Sequence, residues 1–248
     1  MDNTKRFNKK ADAYSSARPA YATAFIETLY SKYGVNKNSV IADIGSGTGI
    51  LTKQLLEKGS TVYAVEPNGE MRAKAETALN AFSNFHSVNG SAENTSLKSN
   101  SVDIITVAQA FHWFDIETFK KECQRILKPN GRIFLLWNMR DTIAEISVAQ
   151  IEICKKYCPD FAGLNGGIRN SEDKINAFFG GKFTCTEYDN PLCYDREKFI
   201  KRALSSSYSL NEKDENFDVY LNELNGLFDK YSSNGILPVP NKTVVYSK

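Results

Sequence analysis

The run Val40-Ile41-Ala42-Asp43-Ile44-Gly45-Ser46-Gly47-Thr48-Gly49 constrains this chain more than any other stretch. Its apolar opening reads as a buried parallel strand, its glycines as a tight turn, and Ile50 to Leu56 as the start of a helix. Strand, glycine turn and helix in that order let backbone approach a ligand closely. A second apolar run, Thr61 to Val65, ends in Glu66. That acid lies about 20 residues past the first glycine, where a carboxylate accepts hydrogen bonds from a ribose diol. Glycine turn plus distal carboxylate implies an adenosine-bearing ligand.

The loop also lacks things. A dinucleotide fingerprint needs a third small residue where this chain has Ile50, and a phosphate-cradling loop needs Gly-Lys-Ser/Thr where it has Gly49-Ile50-Leu51-Thr52. Pyrophosphate binding is disfavoured on both counts. Around the loop, strand signals near 40–44, 61–66, 84–88, 102–107 and 131–137 alternate with helix signals near 48–58, 69–80 and 115–127. This alternation predicts an α/β fold, a Rossmann-like doubly wound sheet, mostly parallel, with helices on both faces. Beyond residue 140 the pattern changes. Thr142 to Tyr157 reads as a helix, Gly180-Gly181 as a break and Phe183 to Tyr188 as a strand. Arg196 to Leu204 and Glu215 to Tyr231 read as helices, and Lys242 to Tyr246 as a last strand.

With 248 residues, 42% hydrophobic and 24% charged, the chain can bury a sizeable core as a single domain. It reads as a cofactor-binding core over 1–140, an acceptor-binding and cap region over 141–241, and a final strand over 242–247. A net charge of +2 gives no strong electrostatic case for nucleic acid. The basic Lys5, Arg6, Lys9 and Lys10 precede no apolar signal core. No segment approaches the roughly 18 apolar residues of a membrane span, so the cytoplasm is the expected location. Five cysteines, Cys123, Cys154, Cys158, Cys185 and Cys193, read as reduced thiols. Cys154 and Cys158 stand one helical turn apart without further soft ligands nearby, so no metal is expected. No heptad pattern appears, and a monomer is the expectation.

The spacing Asp-x-Gly-x-Gly-x-Gly from Asp43 to Gly49 resembles the first motif of the class I S-adenosylmethionine-dependent methyltransferases, whose cofactor carries no phosphate. Further segments resemble that family in the same order. Asn89-Gly90-Ser91-Ala92-Glu93 is similar to its adenine loop and Ser101 to Val107 to its fourth strand, with Gln109-Ala110-Phe111-His112-Trp113-Phe114 following. Leu127-Lys128-Pro129-Asn130-Gly131-Arg132 resembles the turn entering strand five, and Phe7, Tyr14 and Arg18-Pro19 the helix that closes over the cofactor. The resemblance covers roughly the first three fifths of the chain and is to the small-molecule branch, which includes ubiquinone-biosynthesis-like and trans-aconitate-methyltransferase-like enzymes. It implies an antiparallel last strand and a helical cap inserted between the last two strands. It also implies a cofactor site. Gly45, Ser46, Gly47, Thr48 and Gly49 would meet the methionine part of S-adenosyl-L-methionine, with Asp43 close by. Glu66 would hold the ribose, Pro67, Asn68, Met71, Ser91, Ala92 and Glu93 the adenine, Ala108 and Gln109 the sulfonium, and Tyr14 and Arg18 the lid. Trp113, Trp137, Asn138 and Arg140 would face the acceptor, and His112 would act as base or touch substrate.

The reaction implied is in-line displacement at a methyl carbon already activated by sulfonium, where positioning alone can supply about 7–11 kcal/mol without a metal. A carboxylate acceptor would need cationic recognition, for which Arg18, Arg140 and Arg169 are available. A phenol or enol would gain from a general base, and His112 has a suitable intrinsic pKa. Plainer roles stand beside these. His112 could simply start a helix, and His86 fill a strand position. Tyr14, Phe111, Trp113 and Trp137 could be core rather than a cage for the sulfonium, and Asp43 could accept N–H bonds from the glycine turn. Two other functions share part of the pattern. An NAD-dependent oxidoreductase would use the same turn and acid, and a non-catalytic S-adenosylmethionine-binding protein the same fold. The Asn/Asp-Pro-Pro-aromatic signature of base amino-group methylation is absent, and a small acceptor methylated through oxygen is the expected substrate.

Overall fold

A computed structural model describes residues 19–165, 172–206 and 208–248. Phe7, Tyr14, Arg18 and Arg169 lie outside the described residues. The chain divides into two compact units, Met1–Asn138 with Asn170–Tyr188 and Thr243–Lys248, and Met139–Arg169 with Asp189–Lys242.

The first unit opens with α1 (Thr23–Lys32), then β1 (Val40–Ile44), α2 (Ile50–Glu57), β2 (Thr61–Val65), α3 (Gly69–Leu79), β3 (Phe85–Val88) and β4 (Val102–Ala108). A 3-10 turn at Phe111–Trp113 leads to α4 (Ile116–Ile126) and β5 (Leu127–Arg140), and α6 (Glu172–Phe179), β6 (Thr184–Asp189) and β9 (Asn241–Ser247) follow further along. The sheet has seven strands in the order β3-β2-β1-β4-β5-β9-β6. β1 pairs in parallel with both β2 and β4, and strand order reverses across it, the place where open α/β sheets bind ligands. β9 runs antiparallel, and next to it Ile133 and Lys248 exchange N–H···O bonds in both directions.

Pattern explains the packing. Phe25 and Leu29 of α1, Leu51 and Leu55 of α2, and Ala75 and Leu79 of α3 recur at helical spacing and close on Ile41, Val62, Ile104, Phe134 and Leu136 of the strands. Full burial of each large side chain stabilises by roughly 1.5–3 kcal/mol. On α4, Asp115 caps the N-terminus by accepting from Thr118 N–H, while Phe119, Cys123 and Ile126 form the buried stripe. Phe119 stacks on Phe178 of α6 with centroids 5.3 Å apart.

Some boundaries differ from expectation. The helix expected from residue 48 begins at Ile50, because Gly49, its N-cap, is left-handed at φ +82°. The turn expected at 127–132 is instead strand with a bulge, the register jumping from Val102↔Leu127 to Ile104↔Arg132. Asn130, at φ +71°, accommodates the extra residues. Neither α1 nor α6 was foreshadowed by the sequence pattern.

The second unit contains α5 (Glu145–Tyr157), β7 (Leu192–Tyr194), α7 (Arg196–Leu204), α8 (Phe217–Tyr231) and β8 (Leu237–Val239). All but α5 fall between β6 and β9 in the chain, the helical insertion expected there. Tyr220, Leu224, Leu227 and Phe228 form one face of α8 and pack with Phe199 and Ala203 of α7 and Ile146 of α5. β7 and β8 pair antiparallel, a small second sheet too short to announce itself by alternation.

Candidate active site

The glycine turn is fastened to the end of β2 by two bonds to the Val65 carbonyl, from Gly45 N–H at 2.8 Å and Ser46 N–H at 3.2 Å. Gly45 is at φ +68°, and a Cβ there would lie 2.6 Å from the Ala110 Cβ. Gly47, at φ +58°, has only the Met71 sulfur at 3.7 Å in that direction. Packing thus demands the first glycine, whereas the second keeps backbone bare beside a pocket.

Glu66, 9% exposed, spans the turn and the start of the next helix. Its Oε2 accepts from Gly47 N–H and its Oε1 from Asn68 N–H, both at 2.9 Å. Each oxygen keeps a lone pair for a ligand hydroxyl. Burial raises its pKa, opposed by those two N–H bonds and by Arg72, whose Nη1 donates to the Glu66 carbonyl at 2.9 Å. Asn68 Oδ1 caps α3 by accepting from Met71 N–H, which fixes Met71 facing the turn.

Asp43, expected close to the methionine part of the cofactor, does not take the plainer alternative role of accepting N–H bonds from the glycine turn. Its carboxylate accepts from the Thr52 hydroxyl at 2.6 Å and the Thr106 hydroxyl at 3.0 Å, joining β1, α2 and β4 beneath the turn. Burial pushes its pKa up to about 6, the two hydroxyls pull it down, and Glu66 adds a smaller upward push. At 1% exposure it supports the turn from below and does not line the pocket.

The adenine-loop candidate is a compact turn. Ser91 Oγ accepts from the N–H groups of Glu93 and Asn94, and Ser91 N–H donates to the Asn94 carbonyl. Thr95 N–H and hydroxyl both donate to Glu122 Oε1 on α4, which anchors the loop's far end. At the carboxyl end of β4, Gln109 holds a left-handed backbone, φ +58°, uncommon for a side-chain-bearing residue. Its N–H donates to the Leu136 carbonyl at 2.9 Å and its Nε2 to the Asn138 carbonyl at 3.1 Å.

These pieces surround one pocket. Gly45 and Gly47, Glu66 to Asn68, Met71, Ser91 to Glu93, Ala108 to Ala110, Trp113 and Phe114 line it. Among the described residues the lining holds two carboxylates, Glu66 and Glu93, and no lysine, arginine or histidine. That charge pattern repels a pyrophosphate and favours a cation. Ser46 Oγ and Thr48 Oγ1, flanking Gly47, are buried without a partner among the described residues, although they do not themselves line the pocket. Orphaned hydroxyls beside a helix N-terminus suit the polar groups of an amino acid, so the residues present fit S-adenosylmethionine. Gly49 and His112 also stand outside the lining, whereas Ala110 and Phe114, not singled out from sequence, are part of it. Phe114 enters because the 3-10 turn folds the aromatic run back across Gly45.

The residues after β4 and β5 divide. His112 accepts from Lys174 Nζ through its main-chain carbonyl at 3.5 Å, and its ring lies against Trp113. Trp137, expected to face an acceptor, is fully buried and meets Phe111 and Tyr246 edge-on. Strand alternation explains the correction: Phe134 and Leu136 point to one packed layer and Trp137 to the opposite one. Asn138 ties chain segments together, its Nδ2 donating to the Pro19 and Ala20 carbonyls and its Oδ1 accepting from Thr243. Arg140 belongs to the second unit. Exposed His86 stacks on Tyr63 and is a surface strand residue.

A family model described as a methyltransferase domain matches residues 42–135. An uncharacterized methyltransferase of Schizosaccharomyces pombe is 32% identical over 203 residues, covering 80% of this chain and 76% of that protein. A malonyl-(acyl-carrier protein) O-methyltransferase of a Marinomonas species is 28% identical over 151 residues, 58% of this chain and 54% of that one. A solved structure from Anaeromyxobacter dehalogenans, assigned as a type II methyltransferase, shares the fold. Its TM-score is 0.63 at 19% identity, over 93% of this chain and 97% of that one. The chain belongs to the class I S-adenosylmethionine-dependent methyltransferases. Its cofactor is therefore S-adenosylmethionine, and the dinucleotide alternative falls.

Proposed function

We propose that this enzyme passes the methyl group of S-adenosylmethionine to a small-molecule acceptor, through an oxygen atom, by in-line displacement. The observation that carries the reading is the placing of two carboxylates, Glu66 and Glu93, around a bare glycine turn in one pocket. A sulfonium cofactor brings a methyl group that is already activated, so the residues hold, orient and keep water away. Glu66 takes the ribose hydroxyls, and Asn68, Met71, Ala92 and Glu93 enclose the adenine. Ser46, Thr48 and the first N–H groups of α2 take the amino-acid end, while Ala108 and Gln109 lie towards the sulfonium. His112 serves as base where the acceptor arrives protonated. Oxygen as the reacting atom is supported by the Marinomonas O-methyltransferase relative, and the absence of an Asn/Asp-Pro-Pro-aromatic sequence after β4 stands against base amino-group methylation.

No described helix is long and apolar enough to cross a membrane, and the reading includes a cytoplasmic monomer. The test is calorimetric titration with S-adenosylmethionine, S-adenosylhomocysteine and NAD, repeated on Gly47→Arg and Glu66→Ala. Both sulfur ligands should bind, each variant should weaken them at least tenfold, and small carboxylates and phenols should then be screened for methyl esters and ethers. Binding of NAD alone, or a methyl group found only on nitrogen or carbon, overturns the reading.

A further inference from the structure

β4 leaves the sheet at the left-handed Gln109, and what holds that residue lies outside the pocket. The Gln109 N–H still makes a rung of the parallel ladder, donating to the Leu136 carbonyl at 2.9 Å. Bonds in such a ladder are evenly spaced, so in a straight strand the N–H of residue 111 would meet the Asn138 carbonyl one rung further along. By that point the chain has turned away into the 3-10 turn at Phe111–Trp113. The Gln109 side chain takes the place of the missing donor, its Nε2 donating to the Asn138 carbonyl at 3.1 Å. This bond offsets the strain of φ +58° in a residue other than glycine.

Asn138 is in turn held from behind. Its Nδ2 donates to the Pro19 and Ala20 carbonyls at 3.3 and 3.1 Å, and its Oδ1 accepts from the Thr243 hydroxyl of β9 at 2.6 Å. Thr243 is fully buried, and its Oγ1 also accepts from Ala22 N–H at 2.9 Å. The extended segment 19–22 has a second, independent anchor in Gln54 of α2, which accepts from Tyr21 N–H at 3.0 Å and donates to the Tyr21 carbonyl at 2.8 Å. All these residues belong to the first unit. Gln109 lines the pocket, whereas Asn138 and Thr243 do not. A bonded path of three side chains therefore runs from the last strand to the pocket wall.

We propose that Thr243 and Asn138 are positioning residues for methyl transfer: acting through the Asn138 carbonyl, they set the Gln109 side chain and hold the end of β4 against the cofactor. The assignment rests on the reading of Gln109 as a neighbour of the sulfonium. In-line displacement tolerates little misplacement of the groups around the methyl, and a displacement of about 1 Å is enough to cost rate. Neither residue touches the cofactor, so each acts only through what it holds.

The test is a double-mutant cycle on the full chain, read by calorimetric titration with S-adenosylhomocysteine. Gln109→Ala should weaken the ligand at least threefold. Thr243→Val, which removes the hydroxyl and keeps the branched shape, should weaken it at least threefold in the parent chain but less than twofold in the Gln109→Ala background, because residues on one path do not add. Thr243→Ser restores the hydroxyl and should stay within twofold of the parent. A role confined to folding would lower the melting temperature in both backgrounds and leave the affinity loss the same in each. Should Thr243→Val fail to fold, Asn138→Asp takes its place in the cycle, since it keeps an oxygen for Thr243 and sets another against the Pro19 and Ala20 carbonyls. Equal weakening in the two backgrounds, no weakening by Thr243→Val, or Thr243→Ser binding as poorly as Thr243→Val overturns the proposal. Undiminished affinity in Gln109→Ala is a different result: it removes Gln109 from the cofactor site, and the proposal falls with the reading beneath it.

Discussion

Asp43 and Glu66 stand at the carboxyl ends of adjacent strands and are both pushed up by burial, but hydroxyls hold the first and backbone N–H groups the second. Asp43 has an ordinary pKa of 3.8 that burial pushes up to about 6, so the folded state holds its proton more tightly than the unfolded chain does. The group therefore favours folding below about pH 4, and the advantage disappears as pH rises through 6. Asp43→Asn has no proton to lose. The parent-minus-variant difference in unfolding free energy should fall by up to about 3 kcal/mol between pH 4 and 7, measured by urea unfolding. A flat difference would mean that folding leaves the Asp43 pKa where the unfolded chain has it. Gly45→Ala meets both a left-handed φ and the Ala110 Cβ, and should cost roughly 1–3 kcal/mol in thermal unfolding while weakening S-adenosylhomocysteine. Gly163→Ala, left-handed at φ +108° but with open space around it, should suffer only the backbone cost. Spacing alone located Glu66, because strand, turn, helix and strand have fixed lengths in a parallel sheet. It misjudged Trp137: position at a strand end gives the depth of a side chain in the sheet but not the face it takes.

Among the elements, α4 shows how a helix remote from the glycine turn supports the pocket. Glu122, 7% exposed, receives Arg125 through both Nε and Nη2 at 2.7 Å and receives both donors of Thr95. Arg125 holds its carboxyl at about 2, so this contribution is present above the ordinary carboxylate range and is lost as pH falls towards 2. Glu122→Ala leaves the Thr95 N–H unpaired inside the protein and should destabilise by roughly 2–3 kcal/mol. Because Thr95 closes the 91–95 turn, S-adenosylhomocysteine affinity should also drop several-fold, read by calorimetry. Unchanged affinity would separate the turn from adenine binding. The sequence made α4 legible through its cap and its apolar stripe. It could not show the Glu122 to Thr95 tie, since nothing local links residues so far apart in the chain. The bulged start of β5 was hidden for a related reason: Pro129-Asn130-Gly131 reads as a turn, and only the β4 neighbour makes it strand. Three-residue β7 and β8 exist through pairing with each other and carry no periodicity to read.

Across the whole molecule, chain order and spatial order disagree at one strand. β9 comes after every other strand in sequence but sits between β5 and β6 in the sheet. Removing residues 241–248 should leave β5 and β6 with open edges and convert soluble protein to aggregate, measured as the soluble fraction after expression. A soluble, S-adenosylhomocysteine-binding truncation would show that the first five strands suffice. The helices preceding β9 were legible as periodic runs, whereas their place as an insertion and the antiparallel sense of the last strand rested on family resemblance, because pairing partners are not written into a strand. During synthesis, β1 to β5 leave the ribosome long before the strand that completes them. The nascent sheet must wait, one flank unguarded, while roughly a hundred further residues are added at about 5–20 residues per second. This enzyme passes through several seconds in which a chaperone, or a neighbouring nascent chain, can reach the edge that β9 later closes.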